Sequence, residues 1–126
     1  MNIIKLVNNK YLSSIYPDGL TGKVLLGQIG LDIGGRIYLN IHTQQEPAIR
    51  NSKWGDWGDK YNVIVIKISG RSSGLAKIEN WERADYCDLT VTAENDHIVI
   101  SQSGPDWSLE LSIKDLLLQG FETYIL

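Results

Sequence analysis

Apolar positions near the start of the chain recur at three- and four-residue spacing and then, past a Pro-Asp-Gly turn, at every second residue. Tyr11, Leu12, Ile15 and Tyr16 share one face of a helix expected over residues 8–16, which Pro17-Asp18-Gly19 stops. The preceding Asn2–Val7 is too short to assign by period and reads either as the helix's first turns or as a strand. After the turn, Val24, Leu26 and Gln28 oppose Leu25, Ile29 and Leu31. Asp32-Ile33-Gly34-Gly35 then leads into Ile37, Leu39 and Ile41, which alternate with Tyr38, Asn40 and His42, so a hairpin is predicted over 23–43. Gly27 and Gly30 within its first strand mark a bulge or a close backbone approach.

Tyr61–Ile68 is β-branched on both faces and reads as a central strand covered on two sides. A Gly/Ser turn over 70–74 and a shorter strand from Leu75 to about Trp81 are expected next. Leu89, Val91 and Ala93, then Ile98 and Ile100, then Trp107, Leu109, Leu111 and Ile113 give three strands of an antiparallel meander. Lys114–Leu126 stays open: Leu116-Leu117-Leu118 suggests a helical turn, whereas Phe121, Tyr124 and Ile125 suit an edge strand closing the core. One helix followed by strands, without βα alternation, predicts an α+β fold. It is a predominantly antiparallel sheet of about six to eight strands with a short N-terminal helix.

The length of 126 residues suits a single domain over 1–126, and 43% apolar with 21% charged residues is ordinary globular usage. No apolar run approaches the roughly 18 residues that span a bilayer, and Met1–Val7 lacks the features of a signal peptide, so a cytosolic protein without membrane contact is expected. A lone cysteine, Cys87, forms no internal disulfide and agrees with a reducing compartment.

Charge adds an asymmetry. Residues 1–75 hold nine Lys/Arg against five Asp/Glu, and residues 76–126 hold three against ten. Glu79, Glu82, Asp85, Asp88, Glu94 and Asp96 face only Lys77 and Arg83 nearby. Such a field repels phosphate backbones, which argues against nucleic-acid binding and favours a basic partner, although a charge run also serves simply as a solvated face.

Chemistry-bearing patterns are sparse. His42 lies on the polar phase of its strand and His97 follows the Asn95-Asp96 turn, and neither has the neighbours that a triad, proton transfer or metal ligation requires. Glycines 27, 30, 34 and 35 lack the helix and Gly-Lys-Ser/Thr ending of a phosphate loop, so no cofactor is expected. Cys87 has no His or CxxC partner and reads as a packing residue. The tract Trp54-Gly55-Asp56-Trp57-Gly58-Asp59 places two indoles in a loop, where they either pin the loop to the sheet or contact a partner.

The small acidic chain, the helix ending in Tyr16-Pro17-Asp18, the hairpin strand Ile37–Thr43, the strand Val63–Ile68 and the later Leu109-Glu110-Leu111 resemble immunity proteins of bacterial polymorphic-toxin and contact-dependent growth-inhibition systems. The resemblance implies a non-enzymatic protein that covers the active site of a cognate toxin C-terminal domain. Many such toxins are nucleases with basic clefts. Expected toxin-binding residues are Trp54, Asp56, Trp57 and Asp59 with Glu79, Glu82, Asp85 and Asp88. Two other readings remain: a small-ligand or carbohydrate-binding β module using Trp54 and Trp57, and an enzyme using His42.

Overall fold

The computed structural model describes residues 1–126. Asparagines punctuate the N-terminus: Asn2 Oδ1 accepts from the Ile4 amide and opens α1 (Ile3–Val7), and Asn9 Oδ1 accepts from the Leu12 amide and opens α2 (Lys10–Ile15). The helix expected over 8–16 is α2, and the open segment before it forms α1, a separate helix because Asn8 between them takes the left-handed conformation at φ 53°. The apolar spacing was sound. Capping at Asn8-Asn9, which stops one helix and starts the next, is what keeps residues 3–7 from being the first turns of the same helix.

Alternation then produces β1 (Val24–Leu31) and β2 (Arg36–Thr43), joined as expected by a tight turn in which Gly34 and Gly35 hold φ of 93° and 88°. The remaining strands are β3 (Val63–Glu79), β4 (Thr90–Ala93), β5 (Ile98–Ser103) and β6 (Ser108–Tyr124). All pair antiparallel in the order β1-β2-β3-β6-β5-β4, an α+β arrangement with six strands.

Two expectations about strand limits change. The Gly/Ser stretch 70–74 is not a turn between strands, because β3 runs through it for 17 residues. Its ladder with β6 slips register between Ser69 and Arg71 and again between Ser72 and Ala76, and Gly74 sits at φ 108°. Small residues thus absorb bulges and let the strand bend. A Cβ on Gly70 would lie 2.6 Å from the Ile113 side chain and 2.9 Å from the Lys114 carbonyl, so the bend brings β6 too close for any other residue. The open C-terminal segment resolves as the second half of β6, which also spans 17 residues and bends with Asp115 at φ 56°. Residues 117–124 pair only with β3, whereas 108–113 lie between β3 and β5, so the edge-strand reading of the tail holds.

The bends divide the sheet into two halves that share β3 and β6 and turn toward each other. Their edges meet where the Val24 amide and carbonyl exchange hydrogen bonds of 3.0 and 3.1 Å with Cys87, ahead of β4. Gln102 Nε2 donates to both carbonyls, Val24 at 3.0 Å and Cys87 at 3.1 Å, and clamps the seam. The enclosed face carries Leu26, Leu39, Ile41, Ile66, Ile68, Ile100, Leu111 and Ile113, and the helices add Ile3, Ile4, Leu12, Ile15 and Tyr16 to one buried cluster. Val63, Ile64, Val65 and Ile66 are all buried, as a strand covered on both sides requires.

Ile64→Ala or Ile66→Ala, at positions with no exposed surface, is expected to cost about 2–5 kcal/mol of unfolding free energy in urea titration. Losses below about 1 kcal/mol for both would remove this strand from the centre of the core.

Candidate functional site

The Trp-Gly-Asp tract folds back on the protein. Gly55 and Gly58 at φ 84° and 87° turn the chain, and the Asp56 carbonyl accepts from the Asp59 and Lys60 amides. Trp54 makes edge-on contacts with Tyr11, Tyr61 and Phe121 at centroid separations of 6.3, 5.9 and 5.5 Å, and Trp57 stands edge-on to Tyr61 at 5.2 Å. Both indoles are half-buried against the core cluster, the pinning role of the two weighed for them. Asp56 and Asp59 stay exposed, with Asp56 paired to Arg50 at 3.0 Å in a solvent-screened contact of small energetic weight.

The acidic group lies at the other end of β3. Glu79 is its last residue, and the chain then makes a 3-10 turn, Trp81–Arg83, because Asn80 adopts φ 53° and breaks the alternation. Asn80 Nδ2 donates to the Asp106 carbonyl at 2.9 Å, and Arg83 pairs with Asp106 at 3.3 Å, which fixes the turn against the start of β6. Glu79, Glu82, Asp85 and Asp88 are all exposed around it. The two sets of expected contact residues therefore belong to opposite ends of one strand rather than to one patch.

Two clefts flank the acidic turn. One, of about 550 Å³, is mainly apolar and is lined by Leu25, Ile29, Ile78, Trp81, Ala84 and Leu109, with Glu82 at its rim. The other, of about 480 Å³, is polar and contains Glu79, Asp88 and Glu110 beside Lys23 and Lys77. Trp81 is 69% exposed, unlike the buried Trp107. The sequence reading placed Trp81 at the end of a strand and gave it no role. The available signal was an indole directly between Asn80 and Glu82, where an αL-prone residue ends the alternation and leaves no inward phase for the ring.

His42 lies on the polar phase of its strand, as expected, yet that phase does not expose it. It is only 9% exposed. Nδ1 lies 2.7 Å from the Tyr124 hydroxyl and Nε2 lies 3.1 Å from Gln28 Oε1, which also accepts from Asn40 Nδ2 at 3.0 Å. An acceptor oxygen facing Nε2 places a proton there, and in the neutral ring that burial favours the Tyr124 hydroxyl donates to Nδ1. The ring occupies space that Gly27 leaves free, since a Cβ there would fall 2.4 Å from Nε2. The β1 register slips at the same place, between Leu26 and Gln28, so Gly27 supplies both the bulge and the close approach its position suggested. Alternation puts His42 on the non-core face, and Gly27, Gln28 and Tyr124 cover it.

Burial lowers the His42 pKa, with Glu122 opposing. The other candidates show no such convergence. His97 Nδ1 lies 2.8 Å from Asp96, and that hydrogen bond holds the Asp96 carboxyl below its ordinary range. Burial pushes the Cys87 thiol up, which disfavours the thiolate a nucleophile needs. No group of three or more His, Cys, Asp or Glu side chains is placed to hold a metal ion, and no helix is long and apolar enough to cross a membrane. No protein-family model matches the chain, and neither a curated protein nor a solved structure matches it.

The His42 shift sets a sign for pH dependence. The unfolded chain protonates this ring around the ordinary 6.5 while the folded protein resists, so the unfolded state binds more protons below that value and stability falls as pH drops through it. Above it the ring is neutral in both states and contributes no slope. Urea titrations between about pH 7 and pH 5.5 are expected to show a decline in the wild type that His42→Gln flattens. Equal slopes in both proteins would contradict the neutral, buried ring.

Proposed function

We propose that the chain is a non-enzymatic immunity protein that acts in the cytoplasm, binding the C-terminal domain of a cognate bacterial toxin and covering its active site. The observation that carries this reading is Trp81, a large exposed indole at an apolar cleft that Glu82 also lines, in a segment whose Glu79, Asp85 and Asp88 are likewise exposed. An aromatic anchor within a charged rim has the anatomy of a protein-binding hot spot. The carboxylates steer a basic surface, such as a nuclease's phosphate-binding groove, and the indole and cleft supply burial at contact. Inhibition is by occlusion and needs no reacting group.

A carbohydrate module built on Trp54 and Trp57 has less support. Stacking a sugar takes a free indole face, and both rings are half-buried against the core cluster, which covers part of the surface a sugar would need. An enzyme using His42 is likewise disfavoured by an imidazole whose nitrogens are both engaged by Tyr124 and Gln28.

The test is co-expression with the C-terminal domain of the toxin encoded immediately upstream: growth is restored by the wild type, and failure to protect against that domain removes the reading. In the purified pair, Trp81→Ala is expected to lose about 2 kcal/mol or more of affinity with little change in thermal stability. Trp54→Ala should do the reverse, lowering stability while the folded fraction binds normally. Reversing charge at Glu82, Asp85 and Asp88 together should slow association and reduce its salt dependence, read by stopped-flow at low ionic strength.

A further inference from the structure

The seam between the two sheet halves is closed only at its start. Val24 pairs with Cys87, but from Leu25 to Leu31 the side of β1 facing away from β2 makes no backbone hydrogen bond. Past the bridge, the opposing chain leaves β1 and becomes the 3-10 turn at Trp81–Arg83. The apolar cleft of about 550 Å³ is the resulting gap, with Leu25 to Ile29 of β1 on one side and Ile78, Trp81, Glu82 and Ala84 across from it.

Free edges are normally guarded by shortness, charge, proline or a bulge. At the far edge, β4 has only four residues and is followed by Glu94. The free half of β6 carries Asp115 and Glu122. β1, Val-Leu-Leu-Gly-Gln-Ile-Gly-Leu, has no charge and no proline across eight residues, and Leu31 at its end is 55% exposed. The one guard β1 carries is the bulge between Leu26 and Gln28, and past it Gln28–Leu31 is an uncharged edge beside an apolar cleft, equipped to receive a strand.

We propose that β1 captures an extended segment of the partner protein, in which apolar residues alternate with lysine or arginine, as an added strand that fills the gap between β1 and the acidic turn. This rests on the immunity reading and specifies how the toxin is held. Backbone groups of β1 provide the pairing, the cleft takes the apolar side chains of the segment, and Glu82 beside Trp81 attracts its basic residues. Charge selects this occupant over a second copy of the chain. In a β1-to-β1 dimer each cleft would have to admit another uncharged edge flanked by its own carboxylates, with like charges facing across the joint.

The probe is a capped synthetic peptide of about nine residues alternating valine and lysine, titrated into isotopically labelled full-length protein. Slowed exchange of β1 amides from Leu26 to Leu31, a shift of the Trp81 indole resonance, and about tenfold or greater weakening when the peptide is N-methylated at alternate residues would support the proposal. A valine–glutamate peptide should not bind. Unchanged β1 exchange up to millimolar peptide, or equal affinity of the N-methylated form, overturns it, as does concentration-dependent dimerisation that protects the same amides without peptide. Because Trp81→Ala removes an exposed ring, it keeps the fold and should weaken the peptide by about tenfold. Neutralisation of a toxin without protection of β1 would overturn strand capture and leave the immunity reading standing. Strand capture with no toxin neutralised would do the opposite.

Discussion

Everything in this molecule depends on the ladder between β3 and β6. Both strands run for 17 residues, and a flat pair of that length would expose its apolar face to water. The register slips near residues 68–76, together with the left-handed Asp115, convert the flat ladder into a bent one. The bend gives the sheet an inside. Ile66 and Ile68 on one arm and Leu111 and Ile113 on the other then share one cluster with the helices, and the first and last strands come near enough for Val24 to reach Cys87. Gly70 marks the place where the cost of the bend is concentrated, because its missing side chain is what lets Ile113 and the Lys114 carbonyl approach.

Closure at the seam is a matter of specification more than of net energy. Gln102 is 3% exposed, and its amide donates to two carbonyls while its own Oε1 has no protein partner. Two hydrogen bonds at about 0.5–1.5 kcal/mol each are offset by about 1–3 kcal/mol for the unpaired acceptor. The balance lies near zero. What the side chain supplies is a register: it holds the Val24 carbonyl and the Cys87 carbonyl side by side and so decides where the sheet edges meet.

Much of the fold was legible because period and turn chemistry agreed. The hairpin, the doubly covered strand around Val63–Ile68 and the three-strand meander follow from alternation and from glycines at positive φ. Local signals failed where two meanings share one composition. Gly70-Arg71-Ser72-Ser73-Gly74 has the makeup of a turn, yet the ladder to β6 holds it as a bulged strand, a pairing more than thirty residues away in the chain. His42 misled for a related reason: strand phase assigns it to the non-core face, and phase alone does not reveal that Gln28 and Tyr124 cover it there. The candidate site was half legible. Its charge was visible in composition, whereas the exposure of Trp81 depends on the left-handed Asn80 and on the chain departing from the seam.

That departure also explains how the surface is divided. The aromatic loop before β3 spends its rings on the protein itself, and the turn after β3 leaves an indole and four carboxylates free, so the two ends of one strand have taken opposite parts. Trp81 is the largest of the side chains the fold leaves exposed, and at 69% exposure it forgoes roughly 1.5–3 kcal/mol of burial. Trp54, with three aromatic neighbours, shows that the fold buries indoles where backbone geometry brings them inward. Trp81 lies beside an apolar cleft and an unpaired, uncharged strand edge, where burial by a partner would recover both the indole's surface and the edge's hydrogen bonds together. The same incompleteness, a sheet closed at Val24 and open from Leu25 to Leu31, thus accounts for the cleft, the bare edge and the exposed ring.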